Sequence, residues 1–427
     1  MTDTSLARQL ERRARLLGPS YRLFYDEPFQ PVRGEGVWLY DAAGTPWLDA
    51  YNNVACVGHS HPQVVEAIAR QAATLNTHTR YLHEGILSYA ERLLATLPAE
   101  LGHATFTCTG SEANDLAMRI ATAHTGGTGL IVTDFAYHGV TSALACASPS
   151  LGPMVALGKH VRRVPAPTGG DAQTGQRFAD GVRAAIADLQ AHGIQPAALL
   201  VDTVFSSDGV FTAPNGFLQE AVQVIQAAGG VFIADEVQPG FGRTGEAFWG
   251  FMRHGVVPDM VTMGKPMGNG HPVAGIAVKP EVMRAFGNTG RYFNTFGGNP
   301  VSMAAASAVL DVLTENRLQA NALNVGRYLR DRLEGLRQRH PQVGEVRGAG
   351  LFIGLSLVTD PQTATPATEL AAKVVNGLRQ RQVLLSATGP QAHVLKIRPP
   401  LVLEQTHADF LVERLDAVLT AIAQQSL

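Results

Sequence analysis

The sequence has little cysteine, almost no net charge and no long apolar run. Its 427 residues include 3 cysteines, and 34 Lys plus Arg against 36 Asp plus Glu give a formal charge of −2. So small a charge gives no electrostatic reason to expect nucleic acid or an anionic membrane as a partner. We therefore predict that the partner is a small molecule.

The cysteines and the apolar segments also predict a compartment. Cys56, Cys108 and Cys146 are odd in number and lack Cys-x-x-Cys spacing, which is typical of reduced thiols. Residues 1–15 are charged and have no apolar core of a signal peptide, and no stretch reaches the roughly 18 apolar residues of a membrane helix. We expect a cytoplasmic protein.

Motifs for metals, nucleotides and acyl hydrolysis are missing as well. The 14 histidines form no His-Glu-x-x-His pattern, so we predict no metal site. The sequence has no Gly-x-x-x-x-Gly-Lys-Ser/Thr loop and no Gly-x-Ser-x-Gly elbow. Nucleotide-dependent and serine hydrolase functions are therefore disfavoured.

Short apolar runs alternate with helix-length segments between about residues 60 and 300. The runs predict strands at residues 104–109, 130–133, 199–201, 231–234 and 260–263. Near-continuous apolar strands of this kind are typical of a mostly parallel sheet with helices on both faces. The predicted fold class is α/β, with a large domain at residues 60–300.

The two ends of the chain predict a second, discontinuous α+β domain. In the C-terminal unit, residues 301–427, long helical periodicity covers 301–340. Predicted strands at 350–357, 383–386 and 394–398 and predicted helices at 366–381 and 406–424 follow it. Residues 1–59 contain a candidate hairpin, formed by 37–41 and 47–49. We expect this hairpin to join the C-terminal unit.

Polar residues follow several of the predicted strands of the large domain. Gly110 and Ser111 follow one strand, and Asp202, Asp235 and Lys265 each follow another. Parallel sheets bind ligands at the carboxyl ends of their strands. We expect these residues to meet in one crevice.

Asp235 and Lys265 form the central pair of this predicted site. A buried carboxylate can hold a protonated pyridine nitrogen, and a desolvated lysine can hold an aldehyde cofactor as an imine and then move a proton at the substrate carbon. Taken separately, each has a plainer interpretation. Asp235 is equally a strand-end cap, and Lys265 a solvated lysine in a turn.

Three further motifs suit a phosphorylated, flat cofactor. Thr109 and Glu112 have the spacing of a capping box, so the helix that starts there can bind a phosphate at its amide groups. Tyr137, next to His138, can stack on a ring, and Thr295 in a glycine-rich loop can donate to a phosphate oxygen. The structural alternatives are a stabilised turn, a core aromatic pair and a domain-linking turn.

Five motifs in order resemble the class III aminotransferases, which depend on pyridoxal 5′-phosphate. They are Thr-Gly-Ser-Glu-Ala-Asn-Asp at 109–115, Tyr-His-Gly at 137–139, Ala-Asp-Glu-Val-Gln at 234–238, Gly-Lys-Pro-Met-Gly-Asn-Gly at 264–270 and Asn-Thr-Phe-Gly-Gly-Asn-Pro at 294–300. The resemblance extends from about residue 20 to the C-terminus. It implies a fold type I homodimer, or a dimer of dimers, with active sites at the subunit interface.

The same resemblance implies a set of cofactor contacts. In this sequence they are Gly110, Ser111, Tyr137, His138, Asp235, Gln238, Lys265 and Thr295. Lys265 is implied to hold the cofactor as a Schiff base, Asp235 to pair with the pyridine nitrogen and Gln238 to lie near the phenolic oxygen. Thr295 is implied to reach the phosphate of the other subunit.

Other stretches are similar to the branch of the family that contains ethanolamine-phosphate phospho-lyase. They include Asn-Asn-Val-Ala at 52–55, Arg-Tyr-Leu-His at 80–83 and Val-Leu-Lys-Ile-Arg-Pro-Pro-Leu at 394–401. Asn53 and Arg80 are therefore candidate substrate contacts. Arg80 and Lys159 are basic candidates for an anionic substrate tail, with surface solvation as the alternative.

Two positions depart from the usual aminotransferase pattern. The family usually has Arg-x-x-Pro-Pro, whose arginine clamps a substrate α-carboxylate and swings to a glutamate when none is bound. Lys396 stands in the register of that arginine and Asp202 in that of the glutamate. A lysine is a single-point donor and clamps a carboxylate less firmly, so a substrate with a terminal amine is favoured. Arg398, roughly 6.6 Å further along the same strand face, is an alternative clamp.

Three functions follow from these residues. The favoured one is a transaminase that moves the amino group of a terminal amine to a 2-oxo acid. The alternative is a lyase that uses the same carbanion to expel phosphate and ammonia from phosphoethanolamine or a similar phosphorylated amine. A catalytically inactive binding protein is disfavoured because Lys265 and Asp235 are both present.

Overall fold

The computed structural model of the protein describes residues 6–425. In this part of the chain the strands are β1 Arg33–Glu35, β2 Trp38–Tyr40, β3 Pro46–Asp49, β4 His103–Thr107, β5 Gly129–Thr133, β6 Val161–Val164, β7 Pro196–Asp202, β8 Val231–Asp235, β9 Met260–Met263, β10 Ala274–Val278, β11 Val343–Ala349, β12 Phe352–Asp360, β13 Thr365–Pro366, β14 Val383–Leu384, β15 Ser386–Thr388 and β16 Val394–Ile397. The α-helices are α1 Leu6–Leu17, α2 Pro62–Thr74, α3 Glu84–Leu94, α4 Gly110–Thr125, α5 Ser142–Ala145, α6 Thr174–Ala191, α7 Gln219–Ala227, α8 Pro280–Thr289, α9 Pro300–Glu315, α10 Leu318–Arg337, α11 Thr368–Arg379 and α12 Gln405–Gln425.

A seven-stranded sheet with the order β4-β10-β9-β8-β7-β5-β6 organises the large part of the molecule. Strands β9, β8, β7, β5 and β6 run parallel, and β10 pairs antiparallel with both β4 and β9. Every residue of β5, β8 and β9 is buried, as expected for strands covered on both faces. The predicted α/β class with a mostly parallel sheet is confirmed.

The register of this sheet places the candidate site residues at one edge. Asp202, the last residue of β7, lies beside Asp235, the last residue of β8, and Asp235 lies beside Thr262 in β9. Lys265 follows the end of β9. The three polar side chains therefore leave neighbouring parallel strands at the same end of the sheet.

The smaller sheets use both ends of the chain. Strands β1, β2 and β3 form a meander, and β3 pairs in parallel with β14 from the C-terminal part. Strands β11, β12, β16 and β15 form an antiparallel sheet, with β13 paired to β12. The N-terminal hairpin and the C-terminal unit thus share a sheet, while the domain boundaries near residues 59 and 300 stay predictions.

Several predicted elements differ from the structure in extent or number. The strand predicted at 104–109 ends at Thr107, because Thr109 already caps α4. The helical region at 301–340 is two helices separated at Arg317, whose φ of 49° breaks the helical path. Among the described helices none is both long and apolar enough to span a membrane.

Candidate active site

One cavity is lined by all five strand-end residues that the sequence predicts to meet. They are Gly110, Ser111, Asp202, Asp235 and Lys265. The wall also contains Asn114, Tyr137, His138, Gly139, Val237 and Gln238. Most of the predicted cofactor contacts are therefore brought together in a single chain.

The N-terminus of α4 forms one part of the cavity wall. The Thr109 hydroxyl accepts a hydrogen bond from the Glu112 amide at 3.2 Å, and the Glu112 carboxylate accepts from the Thr109 amide at 2.9 Å. This is the predicted capping box. The first turn of a helix leaves backbone N–H groups without intrahelical partners, so the region of Gly110 and Ser111 favours an anion.

Close backbone approach keeps this part of the wall open. Gly139 has a φ of +149°, and a Cβ there would lie 2.6 Å from the Ser111 Oγ. The Val140 amide donates to the same Oγ at 3.2 Å. A Cβ at Gly110 would lie 2.9 Å from a methyl group of Val237. Together these contacts form a cradle beside the helix terminus that side chains larger than glycine would fill.

Asp235 is buried and held by three donors. Its Oδ2 accepts from Asn114 Nδ2 at 2.9 Å and from His138 Nδ1 at 2.7 Å, and its Oδ1 accepts from the Val237 amide at 3.1 Å. Asn114 is itself oriented by Thr262, whose hydroxyl donates to Asn114 Oδ1 at 2.6 Å. These donors hold the carboxylate in one orientation, and a buried carboxylate suits a protonated ring nitrogen as its partner.

Lys265 is largely buried beside the same cavity. Burial is the main cause that lowers the pKa of Lys265, and the positive charge of Arg398 adds to it, while Asp235 and Asp202 oppose the change. A lysine with a lowered pKa has more of its neutral, nucleophilic form near pH 7. The site therefore gives Lys265 the property that bonding to an aldehyde requires.

Tyr137 and His138 lie next to each other but occupy different environments. The Tyr137 ring is about one-third exposed, and burial together with the charge of Asp235 raises the pKa of Tyr137. His138 is buried, its backbone amide donates to Ser148 Oγ at 3.0 Å, and its Nε2 has no hydrogen-bond partner among residues 6–425. His138 therefore contacts Asp235 directly, and ring stacking by Tyr137 stays a prediction.

A directional hydrogen-bond chain runs along another side of the cavity. Arg398 NH1 donates to Gln238 Oε1, Gln238 Nε2 donates to Ser206 Oγ, and Ser206 Oγ donates to Asp202 Oδ2. The Arg398 guanidinium also lies over the Tyr51 ring, 4.5 Å from its centroid. Burial raises the pKa of Asp202, with a further contribution from the charge of Asp235. The Arg398 guanidinium thus already has Gln238 and Tyr51 as partners.

Lys396 is buried next to this chain, with 8% of its surface exposed. Burial lowers the pKa of Lys396 well below its usual value, and Arg398 and Lys265 lower it further, while Asp202 and Asp208 oppose the change. At this position the family usually has an arginine that clamps a carboxylate. This chain instead has a desolvated lysine that interacts with two acids and two other basic side chains.

The remaining predicted substrate contacts and the predicted cofactor contact Thr295 are placed differently. Asn53 is buried, its Nδ2 donates to the Gln238 backbone oxygen at 2.9 Å, and its Oδ1 has no partner among the described residues. Thr295 and Arg80 are exposed and do not line the cavity of their own chain; Arg80 lies 3.8 Å from the centroid of the Phe293 ring. Lys159 is also exposed and lies outside the cavity wall.

Sequence reasoning missed the neutral residues that orient the site. Asn114 bonds to Asp235 and is itself oriented by Thr262, and Ser206 bonds to both Gln238 and Asp202. Asn114 lies inside the motif at 109–115, which was the one available signal. No group of three or more histidine, cysteine or acidic side chains suited to a metal ion occurs in the described part of the chain.

An anion cradle, a buried carboxylate and a desolvated lysine around one cavity define an enzyme of the kind that holds a phosphorylated pyridine aldehyde. The chain belongs to the class III aminotransferases, because the family model "Aminotransferase class-III" matches residues 25–419. The predicted family and the fold type I architecture are confirmed.

Three similar proteins show two kinds of name within this family. "Alanine--glyoxylate aminotransferase 2-like" from Drosophila melanogaster is 40% identical, over 96% of this chain and 86% of its own. "Ethanolamine-phosphate phospho-lyase homolog 1" from Caenorhabditis elegans is 36% identical, over 96% and 93%. The structure of a phospholyase from Arthrobacter in complex with phosphoethanolamine is 45% identical, with a TM-score of 0.93, over 97% of this chain and 99% of that one.

The cofactor of these enzymes is pyridoxal 5′-phosphate, and the residues of this site fit it. The cradle at Gly110 and Ser111 is suited to the phosphate, and Asp235 is suited to the ring nitrogen. Lys265 is the amine available to the aldehyde. The predicted cofactor is confirmed, while the role of each residue stays a proposal.

Proposed function

We propose that the protein is a lyase that eliminates phosphate and ammonia from phosphoethanolamine or a similar phosphorylated terminal amine. Hydrolysis of the eliminated product gives acetaldehyde, so phosphoethanolamine and one water yield acetaldehyde, ammonia and phosphate. This proposal reverses the order of the two functions that the sequence favours. The observation that supports it most is the pair Lys396 and Arg398. Lys396 replaces the usual carboxylate-clamping arginine, and Arg398 already contacts Gln238 and the Tyr51 ring.

A transaminase must bind an oxo acid as its second substrate, and the family arginine clamps the α-carboxylate of that acid. Here Lys396 stands at this position, and Arg398 is committed to Gln238 and the Tyr51 ring. A lysine lacks the planar fork that orients a carboxylate. A lyase needs no such clamp, because the amino group leaves as ammonia and no acceptor is required.

Bound pyridoxal 5′-phosphate supplies an electron sink that stabilises negative charge at the substrate carbon. We assign the proton transfer at this carbon to the Lys265 amine, whose pKa is lowered by burial and by Arg398. Asp235, held by Asn114 and His138, is assigned to keep the ring nitrogen protonated. The chain thus provides a base and a fixed counter-ion at the ends of neighbouring strands.

The comparisons support the same substrate class. The Arthrobacter phospholyase, whose structure contains phosphoethanolamine, is 45% identical to this chain over nearly its full length. The Caenorhabditis elegans relative also has a phospho-lyase name. The positive charges of Lys396 and Arg398 suit a substrate with a phosphate group.

We further propose that the active protein is a homodimer. Leu82 is 91% exposed and Phe296 is 68% exposed, and Tyr81 is also exposed in the same segments as Arg80 and Thr295. Clustered apolar side chains of this size favour burial against another chain. Docking of these segments on a second copy is the arrangement in which Thr295 reaches the phosphate of the partner's cofactor. Sedimentation of the holoenzyme tests this, and a monomer that retains full activity would contradict it.

The function is tested by product analysis with the holoenzyme. Phosphoethanolamine alone should yield phosphate, ammonia and acetaldehyde in equal amounts, and added pyruvate should not increase the rate. Ethanolamine, which lacks the phosphate leaving group, is the matched control and should yield none of these products. Alanine formation that requires pyruvate, without phosphate release, would contradict the proposal.

Transamination of a terminal amine is the second candidate. It is favoured by the Drosophila melanogaster relative, which is 40% identical and has an aminotransferase name. The same assay distinguishes the two functions, because a transaminase makes one alanine for each amine consumed and leaves the phosphate ester intact.

A further inference from the structure

Elimination of phosphate requires a proton for the leaving oxygen, and neither Lys265 nor Asp235 is assigned to supply it. The Cα–H proton moves to the Lys265 amine, the electron pair forms the new C=C bond, and the Cβ–O bond breaks with its pair left on the ester oxygen. Unless this oxygen gains a proton, the departing group is a phosphate trianion. A proton donor next to the leaving oxygen removes this cost, and general acids of this kind typically accelerate a step by about 10²–10⁴-fold.

We propose that Lys396 is the general acid that protonates the leaving phosphate, an inference that rests on the proposed lyase function. Its ammonium gives one proton to the ester oxygen, hydrogen phosphate leaves, and the neutral amine regains a proton from water. Lys396 is thereby assigned a catalytic role that differs from carboxylate or phosphate binding.

Strand register places Lys396 on the side of β16 that the site requires. Its neighbours Leu395 and Ile397 are completely buried in the hydrophobic core, and alternate residues of a strand face opposite ways. Arg398 lies on the same face as Lys396 and donates to Gln238, which lines the cavity. Lys396 therefore lies on the cavity side of β16 and within electrostatic range of Lys265, outside the set of residues that line the cavity wall.

The loop that follows β7 covers Lys396. Lys396 pairs across the sheet with Gly354, and a Cβ at Gly354 would lie 3.0 Å from Val210 Cβ. The same loop contains Asp208 and begins after Asp202, the two acids that act on Lys396. Lys396 is therefore more than nine-tenths buried. A largely desolvated ammonium interacts more strongly with an incoming anionic oxygen than a solvated one does.

The other charged groups that face Lys396 are less suited to donate a proton. Arg398 does not deprotonate in proteins. Asp208 accepts hydrogen bonds from the Thr133 hydroxyl at 2.7 Å and the Phe135 amide at 3.0 Å, so both of its oxygens act as acceptors. Asp202 accepts from the amides of Val204 and Ser206 and from the Ser206 hydroxyl.

Lys265 is already assigned to take the Cα proton. Lys396 has the lowered pKa that a general acid needs. Burial and the charge of Arg398 lower the pKa of Lys396 well below that of a solvated lysine, which makes its ammonium a stronger acid near neutral pH. An arginine at this position, as in most of the family, holds an anion but keeps its protons.

The test compares two esters that differ in their need for a proton. Phosphate leaves best when protonated, whereas sulfate from ethanolamine O-sulfate leaves as the anion of a strong acid. Lys396→Met should lower kcat of the holoenzyme for phosphoethanolamine by about 100-fold or more and change kcat for the sulfate ester by less than about threefold. Lys373→Met, on the exposed face of α11, is the matched lysine control and should change neither.

Lys396→Arg separates anion binding from proton donation. Calorimetry of the holoenzyme with inorganic phosphate should give a Kd within about threefold of wild type, while phosphoethanolamine turnover stays at least about 100-fold slower. Equal slowing of both esters by Lys396→Met, or normal phosphate-ester turnover by Lys396→Arg, would overturn the inference and leave the lyase function intact. If the wild-type enzyme releases no phosphate, both this inference and the proposed lyase function are wrong.

Discussion

The Asn114 side chain offers a sharp test of how the central carboxylate is held. Asn114 is almost completely buried, and its Nδ2 donates at 2.9 Å both to Asp235 Oδ2 and to the His138 backbone oxygen. Its Oδ1 accepts from the Thr262 hydroxyl at 2.6 Å. Asn114→Ala therefore removes three hydrogen bonds, one of them to a charged group.

The expected loss of unfolding free energy follows from these three hydrogen bonds. A hydrogen bond to a charged group contributes about 1.5–3 kcal/mol, and each buried polar group left without a partner costs about 1–3 kcal/mol. We expect Asn114→Ala to lower the free energy of unfolding by about 4 kcal/mol. Thr262→Val keeps the side-chain shape and removes only the bond to Asn114, so we expect a loss of about 1–2 kcal/mol.

Denaturant unfolding of both variants and of the double variant measures this coupling. The cofactor concentration must be held constant, because ligand binding to the native state adds to its stability. The double variant should be less destabilised than the sum of the single variants by about 1 kcal/mol, since both remove the same bond. Additive losses within about 0.5 kcal/mol, or a loss below about 1 kcal/mol for Asn114→Ala, would refute this account of the carboxylate.

Three further variants probe the cofactor anchor, a buried acid and the cradle, and a fourth is the control for the cradle. Lys265→Ala should abolish covalent attachment, so borohydride reduction followed by mass spectrometry should add cofactor mass to wild type only. Burial raises the pKa of Asp208 from 3.8 to about 6, so its stabilising contribution is complete below about pH 4 and is lost as the pH rises through 6. Between these pH values wild type should lose roughly 3 kcal/mol of unfolding free energy relative to Asp208→Asn, measured by denaturant titration at each pH. Gly139→Ala should weaken binding of the cofactor, measured by dialysis and absorbance, because the new Cβ would lie 2.6 Å from Ser111 Oγ. Gly335→Ala, a helical position with open space, should instead stabilise the protein by about 0.5–1 kcal/mol.

The predicted fold follows from apolar strands whose residues are all buried. Strands β5, β8 and β9 were recognisable because their runs are continuously apolar. Strand β6 was missed because two arginines occupy its centre, and β10 because its residues are mostly small. Edge position and antiparallel pairing depend on partners that are distant in sequence, so periodicity within one segment does not contain them.

The predicted site follows from the combination of its residues, because each residue taken alone has a plainer interpretation. A lysine and an aspartate after buried strands indicate chemistry, and the sheet register then determines that they meet. Asn114 and Ser206 were not assigned roles, because a neutral polar side chain has a function only through its spatial neighbours. The commitment of Arg398 to Gln238 depends on the packing of β16 against the cavity, which strand spacing does not specify.

The fate of the substrate nitrogen tests the central claim most directly. Holoenzyme is incubated with ¹⁵N-phosphoethanolamine and excess pyruvate, and the products are observed by nuclear magnetic resonance. The account predicts that the label appears as free ammonium in step with inorganic phosphate. Label that appears in alanine while the phosphate ester remains intact would contradict it.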